Sequence, residues 1–282
     1  MCRLKAKLSL ICNNSPHLLD YFSMSETTKT PNSGLIESLF KAGSHFALSR
    51  ARRHPSAKNF IFGAKNRVEI FDLEKTSESL EKAKAFVKNL GSEGKQILFV
   101  GGKSEARVAV QKGAESIGMP FVAGRWIGGT FTNYSEIKRR IEKMESQIAK
   151  RENGELLKYT KKERLMIDRE IDNLQKFFGG LVLMKEMPKA IFVIDAKREE
   201  IAVHEANKTG IPVIAVCNSD CDLNKVQHSI PGNDGAQASI AFFVNQIVAA
   251  YQDGKKNPKV APAAAAATTA TTQPTMANAA KA

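Results

Sequence analysis

The sequence predicts an α/β protein: a parallel sheet flanked by helices, with an antiparallel coiled-coil hairpin inserted into it. Three observations carry this. Short apolar runs alternate with amphipathic stretches of helical period along most of the chain. One segment, 133–178, breaks that rhythm with two helical patterns and no strand signal. Several helical stretches are followed by a glycine, at Gly91, Gly118 and Gly210. A run apolar at every position has both faces buried, as strands of a parallel sheet do, and strand–helix alternation supplies the crossovers such a sheet needs.

The elements follow in order. The runs at 68–73, 96–100, 121–123, 190–195 and 212–217 read as strands of that sheet. Helical periodicity at 75–90, 103–117, 197–209 and 234–252 supplies the covering layers. Glycine just beyond a helix accepts the left-handed conformation that ends it, so Gly91, Gly118 and Gly210 are expected stops. In the inserted segment Ile137, Ile141, Met144 and Ile148 step by helical spacing, and so do Ile167, Ile171, Leu174 and Phe178. A turn at Asn153-Gly154 joins the two stripes into a hairpin. The expected division is a flexible N-terminal extension at 1–33, an α/β body at 34–132 and 179–254, the hairpin at 133–178, and a disordered Ala/Thr/Pro tail at 255–282. The extension has Arg3, Lys5 and Lys7 and no acid before Asp20, compatible with a transit peptide; Met24 offers an alternative start.

Composition narrows the function. The chain has 282 residues and a formal net charge of +13, which points to a polyanionic partner. No apolar run reaches the ~20 residues that span a bilayer, so no membrane is expected. Four cysteines are too few for a disulfide framework in a chain of this length. Cys217 and Cys221 lack the second pair of a zinc site, and Cys2 and Cys12 fall in the extension.

Several short motifs imitate enzyme sites and fail in detail. Gly102-Lys103-Ser104 follows a strand and starts a helix, but a phosphate loop needs a further glycine at position 97, which is Ile. Lys103 and Arg107 at that helix start remain able to hold an anion weakly. His204-Glu205 begins a zinc-protease pattern whose second histidine is replaced by Lys208. Asp195 ends a strand, where it could cap the next helix or bind a ribose. Asp220 and Asp222 lack the glycine and distal glutamate of a calcium loop. No nucleophile–base–acid set emerges, so no catalytic residue, cofactor, metal or small-molecule substrate is expected.

Residues 41–67 differ. They carry a charge of +7 with neither Asp nor Glu, and within the 43–67 stretch Arg50, Arg52, Arg53, Lys58, Lys65 and Arg67 are interleaved with His45, Phe46, His54, Phe60 and Phe62. A solvated surface would mix in acids. This is the composition of a loop that tracks a phosphate backbone. A second candidate is "VAGRWIGGTFTN" (122–133), which holds the single tryptophan. The indole is expected to pack the loop, with Gly128 and Gly129 turning the chain so that Arg125 meets phosphate. The RNA-binding set is therefore Arg50, Arg52, Arg53, Lys58, Lys65, Arg67, Lys103, Arg107, Arg125 and Trp126.

With these motifs in view the sequence resembles the bacterial and organellar form of the S-two family of small-subunit ribosomal proteins, across roughly residues 35–254. "KAGSHF", "FIFGAKNRVEIFDLEKT", "ILFVGGK", "RWIGGTFTN", "KKERLMIDRE", "FFGGLVLMKEMPKAIFVIDAKREEIAVHEANKTGIPVIAV" and "IPGNDGA" stand in family order. The resemblance implies a Rossmann/flavodoxin-like body with a coiled-coil hairpin. It also implies small-subunit rRNA and other small-subunit ribosomal proteins as partners, a structural role rather than catalysis, and a place in the ribosome, the cytoplasmic one favoured over an organellar one. Two positions depart from the family: His-Phe-Gly-His is His45-Phe46-Ala47-Leu48 here, and Trp-Asn-Pro is Arg53-His54-Pro55. Two rival functions stay open at this stage: a nucleotide-binding enzyme using Gly101, Gly102, Lys103 and Asp195, and an adaptor acting only through the 133–178 arm.

Overall fold

The computed structural model describes residues 33–257; the expected extension over 1–32 and the tail from 258 onward lie outside the described residues. In chain order the helices are α1 (Ser33–Lys41), α2 (Leu73–Ser92), α3 (Ser104–Ile117), α4 (Tyr134–Glu152), α5 (Lys161–Phe178), α6 (Glu200–Thr209) and α7 (Gln237–Lys256). The strands are β1 (Phe46–Ser49), β2 (Ile61–Lys65), β3 (Val68–Phe71), β4 (Ile97–Val100), β5 (Phe121–Val122), β6 (Ala190–Ile194), β7 (Val213–Cys217) and β8 (His228–Pro231).

Five strands form the expected parallel sheet in the order β5-β4-β6-β7-β8. Strands β4, β6 and β7 are buried at every position, the consequence of helices on both faces. Alternate side chains serve different cores. Ile97, Phe99, Phe192 and Ile214 pack with residues of α2, α3 and α7. Leu98, Val100, Ile191, Val193 and Ala215 pack with α6, Trp126, Phe131 and the base of the helical arm.

One expected strand of this sheet belongs elsewhere. Residues 68–71 pair antiparallel with β1 and β2 in a separate three-stranded sheet. Their burial alternates, with Glu69 and Phe71 buried and Val68 exposed, so the run is half-buried rather than covered on both faces. Gly91 is also a correction. Helix α2 runs through it to Ser92, and Gly91 is buried where α2 meets α7. Gly118 and Gly210 do end their helices in the left-handed conformation, at φ 66° and 72°.

Over 133–178, where two helical stripes are expected, α4 and α5 are helices of 19 and 18 residues. Lys143 and Arg151 of α4 pair with Glu170 and Asp168 of α5, so the helices run antiparallel. A capping box at Thr160 and Glu163 starts α5. Ile137, Ile141 and Phe178 join the core beneath the sheet, so the root of this pair is part of the body's packing.

Candidate nucleic-acid interface

The basic segment is held from behind. After β1 the chain makes two short turns, Arg50–Arg52 and Pro55–Phe60, before entering β2. Its backbone is fastened to the loop that follows β7. The His54 N–H donates to the Ser219 carbonyl at 2.8 Å, the Leu48 N–H to Ser219 Oγ at 3.2 Å, and the Leu223 N–H to Ser56 Oγ at 3.1 Å. Ala57 is buried in the same core as the sheet. With the backbone so tied, the long cations face outward. Arg50, Arg52, Lys58, Lys65 and Arg67 are exposed, and none has an ion pair among the described residues.

Two features refine the expectation. Arg53 is not an uncompensated charge: its guanidinium lies 2.8 Å from Glu69 Oε1, and that carboxylate is only 2% exposed. The partner stands just past the acid-free window. Asn66 and Arg67 form the two-residue turn between β2 and β3, both at positive φ (52° and 67°). A non-glycine pair in that region carries strain, and here it sets Lys65 and Arg67 at the tip of an exposed hairpin.

Lys103 is likewise engaged within the protein. Its ammonium lies 3.1 Å from Asp195 and 2.8 Å from Asp234, so internal carboxylates already hold it. Burial would lower its pKa, but the hydrogen bond and charge of Asp234, with those of Asp195, keep it above the ordinary lysine value. Burial likewise opposes ionisation of Asp195, yet Lys103 and the Arg198 N–H hold its carboxyl below the usual range. Burial and the Asp195 charge push Asp234 up. Asp195, at φ 68°, accepts from the N–H groups of Lys197 and Arg198, both at 3.2 Å, and so fixes the turn that leads into α6; the cap position of that helix itself is Glu199. The glycine turn is filled as well: a Cβ at Gly102 would strike Glu199 Oε1, and that carboxylate accepts from the Gly102 N–H. Burial raises the Glu199 pKa.

The tryptophan loop is built around Glu205, the residue of the failed zinc-protease pattern. Its carboxylate accepts from the Gly129 N–H at 2.7 Å, the Phe131 N–H at 3.0 Å and Trp126 Nε1–H at 3.5 Å. The indole is 5% exposed and meets Phe131 edge-on at 5.2 Å. Trp126 therefore packs, as the loop reading expects, and its ring offers no face for a base. Arg125 beside it is exposed. It lines a pocket of about 290 Å³ with Arg107 and with Arg198, which sequence reasoning did not single out. Arg107 and Arg125 thus come together at this pocket.

Of the remaining candidates, His45 is half-buried and the two cysteines are buried. His45 stacks on Phe40 at 4.6 Å, and burial lowers its pKa. Cys217 and Cys221 are buried free thiols, and Cys217 is raised well above its ordinary pKa by the neighbouring thiol and by burial. Among the described residues no group of three or more His, Cys, Asp or Glu could hold a metal ion, and no helix is long and apolar enough to cross a membrane.

Comparison with known proteins bears on what this surface meets. The model of a family described as "Ribosomal protein S2" matches residues 39–254. A "Small ribosomal subunit protein uS2" from Nitratiruptor sp. is 41% identical over 221 residues, covering 78% of this chain and 83% of that protein. Its namesake in Helicobacter hepaticus is 41% identical over 224 residues, 79% and 85%. That of Solidesulfovibrio magneticus is 39% identical over 230 residues, 81% and 89%.

Proposed function

This chain belongs to the ribosomal protein S2 family, and on that premise we propose that it meets small-subunit rRNA through its 43–67 loop and the rim formed by Arg107 and Arg125. The chain is a structural constituent of the small ribosomal subunit, not an enzyme; it binds rRNA and serves assembly and translation. The observation that carries the proposal is that five cations of one segment, Arg50, Arg52, Lys58, Lys65 and Arg67, are exposed without ion-pair partners among the described residues. Guanidinium and ammonium groups that neutralise phosphates release counterions, and this drives binding to a folded polyanion without reading its bases.

The helix pair 133–178 reads as a coiled-coil hairpin set into an α/β body at 34–132 and 179–254. Its regular apolar steps and cross-helix charge pairs support that division. Other small-subunit proteins are its neighbours, and the cytoplasmic ribosome is its place. The full chain, tagged and expressed in a bacterial host, should sediment with small subunits and survive a moderate salt wash. Recovery only at the top of the gradient would contradict the reading.

A further inference from the structure

We propose that Arg107, Arg125 and Arg198 form a discrete phosphate-binding pocket at the switch point of the parallel sheet. From β4 the chain crosses to β5 on one side, and from β6 it crosses to β7 on the other. The loops after β4 and β6 therefore part and leave a crevice, the position where open parallel sheets take ligands. Part of that crevice is occupied by Lys103 with Asp195 and Asp234. Beside it lies the pocket of about 290 Å³, walled by Gly102, Trp126 and Glu199.

Three separate elements deliver the arginines: the first turns of α3, the loop after β5 and the turn after β6. All three are exposed, and none has an ion pair among the described residues. Three guanidiniums against the single carboxylate of Glu199 leave two positive charges of the lining without a counterion in it. Like charges gathered at one pocket repel, and an anion relieves that repulsion. Guanidinium forks match phosphate oxygens in a bidentate way. The mountings are fixed beforehand: Trp126 is buried beside Arg125, the Arg198 N–H is bonded to Asp195, and Arg107 sits in a helix.

The phosphate could belong to an RNA backbone or be a free phosphate. The first source rests on the rRNA reading above; the pocket itself does not. The test uses the full chain, Arg198→Ala and Arg107→Ala/Arg198→Ala. These exposed side chains leave the Arg198 N–H bond to Asp195 in place. One arm measures the salt dependence of binding to a small-subunit rRNA fragment, where each phosphate no longer neutralised should flatten the log–log slope by about one unit. The other measures melting temperature in inorganic phosphate against chloride at constant ionic strength. A rise in the wild type that is missing in the double variant is expected. A flattened slope alone assigns the pocket to RNA, and disappearance of the phosphate shift alone assigns it to free phosphate. No change in either arm overturns the pocket. Arg50→Ala/Arg52→Ala, run in the first arm, separates the two readings. A flatter slope there, with neither arm responding to the pocket variants, sinks the pocket alone. An unchanged slope in every variant sinks the rRNA surface, and the phosphate arm then decides the pocket by itself.

Discussion

Arg52 and Arg53 are adjacent and carry the same charge, but their loss should not cost the same. Arg52 is exposed without an ion-pair partner among the described residues, whereas Arg53 neutralises Glu69, a carboxylate 2% exposed in the small sheet. Removing one member of a buried pair strands the other and costs about 3–5 kcal/mol, while a solvated cation contributes little to folding. Urea titrations should therefore show Arg53→Ala strongly destabilised and Arg52→Ala close to wild type; equal midpoints would mean that Glu69 does not depend on Arg53. Arg125 and Trp126 make a second such pair. Trp126→Ala should lose about 3–5 kcal/mol of stability, as truncation of a buried aromatic does. Arg125→Ala should melt normally and bind rRNA less well. The reverse assignment in thermal melts would put the indole, not the guanidinium, on the RNA.

At the scale of elements, α2 and α7 approach backbone to backbone. Gly91 and Gly254 face one another there, and a Cβ at Gly254 would strike the Lys88 carbonyl oxygen, with the Gly91 Cα 3.1 Å away. Replacing a helical glycine by alanine ordinarily gains up to about 1 kcal/mol. Here the two backbones would have to separate, and overpacking of that kind costs about 1–3 kcal/mol. Gly254→Ala should thus lower the urea midpoint despite its better helix propensity; a raised midpoint would show that the two helices can relax apart. The glycine at 91 illustrates why sequence reading of ends is weak. A glycine that lets two helices touch and one that stops a helix look alike until the partner helix, over 140 residues away in the chain, is in place.

For the whole molecule, the parallel sheet was legible because β4, β6 and β7 are buried at every position, and burial on both faces writes itself as an unbroken apolar run. Strand β8, His228–Pro231, carries two polar residues and a proline at the sheet's edge and gave no such signal. The basic loop was legible because uncompensated charge is a matter of composition. The fate of Lys103 was not, since it depends on Asp234, 131 residues onward. Glu205 stood inside a motif for a chemistry it does not perform, and Arg198 enters the crevice only through the turn that Asp195 fixes.

The central claim is that the exposed cations of the 43–67 loop are what the rRNA backbone meets. The most direct measurement is the salt dependence of rRNA-fragment binding by the full chain and by Arg50→Ala/Arg52→Ala/Lys58→Ala, which leaves the structural Arg53 in place. A log–log slope shallower by roughly three units is expected, about one for each phosphate left without its cation, with an unchanged melting temperature. An equally folded triple variant that keeps the wild-type slope would contradict it.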